Sequence, residues 1–427
     1  MNYSKLALTA TTALTLSMST AFADGNEAYL TQSAQNVGNT ALVQQSGSNN
    51  DAGSAGKAMS QISENTSTGN ALTILQSGDG NAIGLEGNGL DQKAQRFIGN
   101  TATITQSSNN NVVGSVNQFT RNMSPVQTGN TLTITQSDGN GNRVGYASQV
   151  RGSNNGGAEN GNVATISMSG ADSTIETTSQ FTKGFEAVNE LDVDISGNNN
   201  GNGSLTGLAA ASGATTSSLI QGKDYTGTEH GANSASLIIS GDGNQFGVTQ
   251  LGLRNTVGTL EITGASNELG VYQNGSDNMV TIATIGGADN NIGVVQLQTS
   301  NVASVSANGN DNEFGVYQDG DQNNATVNVT GDLNGVGSGL SGDSLTASID
   351  SVSFAGGMAK QFGDLNMLTA NVTGNSNAFG MVQDGTSNVI VATVSGDFNM
   401  SAVVQVGASN MAVYTQNGNN NNAGISQ

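Results

Sequence analysis

The sequence predicts an all-β fold: a stacked β-solenoid of about fifteen strand-turn-strand units. Two observations carry that prediction, an eleven-residue beat of Asn and a two-residue alternation of apolar side chains within each beat. Near the C-terminus the beat reads Asn366, Asn377, Asn388, Asn399, Asn410, Asn421. Six residues after each comes Val372, Gln383, Val394, Gln405, Gln416 or Gln427, and two further on comes Gly374, Gly385, Gly396, Gly407 or Gly418.

Each beat is a strand of about seven residues and a four-residue turn. In Asn377–Gln383 (NAFGMVQ), side chains alternate faces, so Asn377, Phe379, Met381 and Gln383 share one side. Asp384-Gly385-Thr386-Ser387 then supplies the Gly and polar residues of a chain reversal. Helix is disfavoured, because Gly, Asn, Thr and Val are poor helix formers. Two kinds of strand alternate. The second strand of each unit carries Asn-x-Phe/Ile/Leu-Gly, as in Asn244–Gly247, Asn267–Gly270, Asn290–Gly293 and Asn312–Gly315; the first is more β-branched, as in Asn323–Val329. The unit is therefore about 22 residues. Its roughly five inward apolar side chains contribute about 1.5–3 kcal/mol each, whereas ordering the unit costs about 1.5 kcal/mol per residue. One unit cannot stand alone.

Along the chain, residues 1–23 read as a secretory leader: Lys5, an apolar run from Leu6 to Met18, then Ala21-Phe22-Ala23, with cleavage between Ala23 and Asp24. Residues 24–38 are an N-terminal segment able to supply a half repeat. Residues 39–200 hold looser repeats of about 30 residues, whose first strands begin at Asn39, Asn70, Asn100 and Asn130, and whose second strands are expected to run into long polar loops. Residues 201–232, rich in Gly, Ala, Ser and Thr, read as a loop or hinge. Residues 233–427 hold the regular repeats, including a degenerate unit near Asp343.

Composition excludes several functions. The net charge is −21 and only 10% of residues are charged, so a nucleic-acid partner, which needs Lys and Arg, is not expected. There is no Cys and no Trp, and the only His is His230, so neither a nucleophile nor a metal cluster is in prospect; the chain reads as a non-enzyme without cofactors. No membrane span is expected in the mature chain. Turn acids such as Asp79, Asp242, Asp277, Asp319, Asp332, Asp384 and Asp397 read as a solvated edge that opposes association.

Low charge, β-prone strands and stacked amides with a single Pro form an amyloid-like signature. Gln250, Gln273, Gln296, Gln318, Gln361, Gln383, Gln405 and Gln427 are expected to lie above one another and bond along the axis. In the N-terminal half the Gln row falls on the other strand, at Gln45, Gln76, Gln106 and Gln136.

These residues resemble the curlin repeat, Ser-x5-Gln-x-Gly-x2-Asn-x-Ala-x3-Gln. Gln45-x-Gly47-x2-Asn50-x-Ala52, Gln76-x-Gly78-x2-Asn81, Gln318-x-Gly320-x2-Asn323-x-Ala325 and Gln405-x-Gly407-x2-Asn410-x-Ala412-x3-Gln416 match its centre. Asn replaces the leading Ser, and Val or Ile often replaces the trailing Gln. The resemblance implies a secreted, extracellular amyloid subunit of curli, major or nucleating, exported through an outer-membrane pore and polymerised on the cell surface with a nucleator or another curlin subunit, for adhesion and biofilm matrix. The alternative is a monomeric β-solenoid adhesin. An ice-binding surface on the Thr101-Thr103-Thr105 and Thr131-Thr133-Thr135 array ranks lower, because Thr is ordinary on an exposed strand face. The final strand, Asn421–Gln427, carries no capping sequence, which favours end-to-end addition.

Overall fold

The computed structural model describes residues 5–10, 25–35, 37–66, 68–121, 128–152, 160–183, 188–222, 231–335 and 356–427. Ala23, Asp24, Pro125, His230 and the surroundings of Asp343 lie outside them. The described chain is nearly all strand, with one short helix, Gly207–Ala211. It divides into two compact units, the first of residues 1–202, 217–235 and 251–253, the second of residues 203–216, 236–250 and 254–427.

In the first unit, the first strands Thr40–Gln45, Ala71–Gln76, Thr101–Gln106, Thr131–Gln136, Val163–Met168 and Glu190–Ile195 pair in parallel with no register shift. The second strands form a facing parallel sheet. Early rungs are split, Asp51–Ala52 with Met59–Thr66 and Ala82–Ile83 with Leu90–Phe97. Later ones are long and continuous: Val112–Arg121, Arg143–Arg151 and Thr174–Thr182. This corrects the expectation of long polar loops after Gly114 and Gly145, since those residues continue the strand. Lys5–Ala10, inside the segment read as a leader, pairs in parallel with Glu27–Gln32.

The second unit repeats the plan. First strands Met279–Gly286, Val302–Asn308, Asn324–Thr330, Met367–Thr373, Val389–Ser395 and Met411–Asn417 stack in parallel, with one register shift between Ile282 and Ile285. Asn324–Thr330 pairs directly with Met367–Thr373. Among the described residues the first-strand sheet has fourteen strands, where fifteen units were expected.

The core of each unit lies between its two sheets. In the first, Leu72, Ile74, Ile104 and Ile134 are buried, as are Ile83, Val113 and Val116 of the facing strands; in the second, Val305, Val327, Leu368 and Ile390 are buried, as are Ile292, Phe314 and Phe379. The strand pattern of alternating buried and half-exposed residues, as in Ala71–Gln76, is the two-residue period of the sequence.

The 201–232 insertion is not only a loop or hinge. Ser218–Gln221 is a strand of the first unit, paired with Thr177–Gln180. Residues 203–216, with their helix, lie against the second-strand sheet of the second unit. There a Cβ on Gly270 would sit 2.1 Å from the Ala209 carbonyl oxygen, and one on Gly293 2.1 Å from that of Leu208. The Gly of the Asn-x-Φ-Gly motif, where Φ is apolar, thus admits a covering segment at three rungs, Gly247 included, where a Cβ would lie 2.4 Å from the Thr215 carbonyl oxygen.

Candidate assembly site: stacked amides and open turns

In the second unit the glutamine column is a continuous one-way chain. Gln250 Nε2 donates to Gln273 Oε1 at 2.9 Å, and the same bond recurs from Gln273 to Gln296 (2.8 Å), Gln318 (2.9 Å), Gln361 (2.8 Å), Gln383 (2.9 Å), Gln405 (3.1 Å) and Gln427 (2.7 Å). The second N–H crosses to a carbonyl of the facing strand, for example Gln383 to Met367 (3.0 Å) and Gln405 to Val389 (3.1 Å). The column therefore ties strand to strand along the axis and sheet to sheet across the core. Chains of aligned amides polarise one another, and their burial makes each bond matter.

The Asn beat resolves into two columns, one at each corner. Asn366, Asn388 and Asn410 stack on one, Asn334, Asn377, Asn399 and Asn421 on the other. In each, the backbone N–H of the next Asn donates to the preceding Oδ1 at 2.9–3.0 Å. The side-chain Nδ2 reaches the turn glycine of the next rung: Asn366 to Gly385 O and Asn388 to Gly407 O, both 2.9 Å, and Asn334 to Gly374 O at 2.8 Å. The residue before each of these Asn residues is left-handed, including Leu333, Leu365 and Phe398 at φ 57–59°.

The turn glycines stack just as closely. Gly374, Gly385, Gly396, Gly407 and Gly418 have φ of 98–129°. A Cβ on Gly374 would lie 2.1 Å from Gly396 O, on Gly385 1.9 Å from Gly407 O, and on Gly396 2.3 Å from Gly418 O. At Gly407 the nearest atom would be 3.7 Å away, and at Gly418 3.4 Å.

The last rung differs from the interior. The first-strand column holds Val372 and Val394, then Gln416, which is buried yet has no partner for Oε1, because Val394 below it offers no donor. Tyr414 and Ser401 also have buried hydroxyls without partners, and burial pushes the Tyr414 phenol well above its ordinary pKa. Asn410 and Asn421 donate from Nδ2 to Val406 O and Asn417 O of their own turns, as the interior Asn366 does to Phe362 O.

In the first unit the row Gln45, Gln76, Gln106, Gln136 is bonded at 2.8–2.9 Å. A second row, Gln32, Gln61, Gln92, Gln118, Gln149, Gln180, Gln221, runs beside it on the second strands at 2.5–2.9 Å. The change of strand seen in the sequence is therefore the loss of one row, not a swap. The second row sits in the stretches read as loops, where its spacing of 26–41 residues hides the beat.

A third ladder lies on the turns. Asp79 Oδ1 accepts from Ser48 N (2.7 Å), Asp332 from Asn310 N (2.7 Å) and Asp397 from Asn375 N (2.8 Å). These acids are backbone caps between rungs as well as surface charge; the recurring Asp or Asn directly after the turn Gly is the signal for it. Asp277 instead pairs with Arg254 at 2.6 Å, which holds its carboxyl below the ordinary range. Thr101, Thr103 and Thr105 stack in register on Thr131, Thr133 and Thr135 and face away from the core. Among the described residues no group of His, Cys, Asp and Glu is arranged to hold a metal ion, and no helix is long and apolar enough to cross a membrane.

No protein-family model matches the chain, and no curated protein matches it significantly.

Proposed function

We propose that this chain is a secreted structural subunit, major or nucleating, of curli-like amyloid fibres on the cell surface, serving adhesion and biofilm matrix. The single observation that carries the reading is the in-register parallel stack, whose buried Gln and Asn columns bond each rung to the next. Strands Met411–Asn417 and Asn422–Ser426 are paired on one side among the described residues, and an unpaired parallel edge is a template for another chain. Gly407 has room where Gly385 has none. A second copy would bring Gln32 over Gln427, continuing the glutamine column, and Gln45 over Gln416; Gln45 is half-exposed whereas Gln76, Gln106 and Gln136 are buried. Loss of the leader would take Lys5–Ala10 off that N-terminal edge. Export through an outer-membrane pore belongs to the same proposal.

Seeded thioflavin-T kinetics on residues 24–427, refolded from denaturant and imaged by negative stain, test it. Unbranched fibres that seed their own growth are expected. A persistent β-rich monomer at high concentration would refute assembly and leave a monomeric adhesin.

A further inference from the structure

The outward face of the first-strand sheet in the second unit is uncharged, as are the first-unit strands from Thr40–Gln45 to Val163–Met168, but it alone adds a column of exposed Met to that neutrality. The six strands from Met279–Gly286 to Met411–Asn417 contain no Asp, Glu, Lys or Arg. The strand before them carries Glu261, and Glu190–Ile195 turns Glu190, Asp192 and Asp194 outward. In register, the first outward column of the neutral face reads Met279, Val302, Asn324, Met367, Val389, Met411. Met279, Met367 and Met411 are 41%, 49% and 64% exposed. The next column runs through Ser and Thr to Val391 and Val413, the latter 59% exposed. A third is ordered by its own bonds, Ser306 Oγ to Asn328 (2.7 Å) and Asn328 Nδ2 to Asn371 (2.9 Å). The other sheet of this unit is partly covered by residues 203–216 and carries Glu268 and Glu313 on its outer side.

We propose that this neutral face is a lateral interface that pairs with the same face of a second copy. Charge selects that occupant. A chain of net charge −21 repels its copies through any face that carries its acids, so close sheet-to-sheet approach favours an uncharged face, and this one also exposes Met279, Met367, Met411 and Val413. Extent agrees: six strands about 4.8 Å apart and about 23 Å long give roughly 650 Å² per copy, or about 1,300 Å² for a pair, within the range of about 1,200–2,000 Å² for stable complexes. Uncharged columns of Met, Val and Asn beside columns of Ser, Thr and Val, aligned in register along the axis, let two such faces interdigitate as a dry zipper. The inference deepens the fibre reading and rests on it only for repetition along the axis.

The test measures mass per length and cross-section of fibres from the wild-type chain and from Thr326→Glu/Val391→Glu. The two positions are separated by the Met367–Thr373 rung, so the new carboxylates do not stack directly on each other. Wild type is expected to carry two chains per subunit length; the Glu variant should carry one and still seed elongation, whereas Thr326→Ser/Val391→Thr should keep two. Single-width wild-type fibres, or an unchanged double width in the Glu variant, overturn the inference without bearing on axial growth. A chain that forms no fibres defeats the fibre reading alone, and sedimentation equilibrium then decides: a wild-type dimer that becomes monomeric in the Glu variant supports the lateral face, and monomer in both overturns it. Binding of wild type but not the Glu variant to phosphatidylcholine vesicles, with single-width fibres, would assign the face to lipid and also overturn it.

Discussion

Gly385 and Gly407 occupy the same place in successive turns and have similar φ, 129° and 110°. They differ in what stands above them. Ala at Gly385 drives a Cβ to 1.9 Å from the next carbonyl oxygen, whereas Ala at Gly407 meets nothing closer than 3.7 Å. Both carry the strain of positive φ, about 1–2 kcal/mol, so the difference between them isolates axial packing. Gly385→Ala is expected to lower the urea midpoint of the soluble chain clearly more than Gly407→Ala, while Gly407→Ala suppresses seeded elongation; equal effects on both readouts would count against axial growth at that edge. The Gln column makes a parallel case. Gln383→Ala strips a donor from Gln405 Oε1 and an acceptor from Gln361 Nε2, both buried. Each orphan costs about 1–3 kcal/mol. Replacing Gln416, whose Oε1 has no partner, should instead cost less in unfolding than Gln383→Ala and slow growth, with elongation rate as the readout.

Strands are clipped together by side chains that reach past a neighbour. Glu86 passes the rung of Gly114 to meet Arg143, with bonds of 2.6 and 2.5 Å. A Cβ on Gly114 would lie 2.6 Å from the Glu86 carboxylate, so that Gly keeps the path open. The Arg143 hydrogen bond holds the Glu86 carboxyl below its ordinary range. A carboxylate depressed on folding stabilises the fold above its unfolded pKa of about 4.3 and ceases to as pH falls through the lower folded value. Arg143→Ala should therefore lose stability at neutral pH, by under about 1 kcal/mol for so exposed a pair, and should differ less from wild type in strong acid. Chemical denaturation at pH 7 and at pH 3 checks both the sign and the size.

Over the whole molecule, acids outnumber bases 32 to 11, and most lie on turns and outward faces. Stacking copies therefore concentrates like charge. Salt that shortens the screening length to about 10 Å at 0.1 M should speed elongation, as should acidification through the carboxylate range. Growth rates that ignore both would show that charge does not limit assembly. The first strands from Met279–Gly286 to Met411–Asn417 carry none of these charges, so width and elongation should respond to different substitutions.

The fold class, the alternation of two strand types, the turn glycines and the second-unit Gln column were legible because side-chain spacing there equals rung spacing: period eleven in sequence is one strand and turn in space. Asn366 to Asn421 read as one beat of eleven, and pairing in register assigns its alternate members to two separate columns. The first unit's second Gln row, from Gln32 to Gln221, was hidden because variable inserts separate its members, and only pairing in register brings them together. Likewise, nothing local to Gly270 or Gly293 announces that residues 203–216 will lie on them. Local pattern determines which residues face inward and that the strands must stack; which rungs become neighbours, what covers a face and which amides are left unpaired depend on contacts between residues far apart in the chain, and those only the tertiary structure decided.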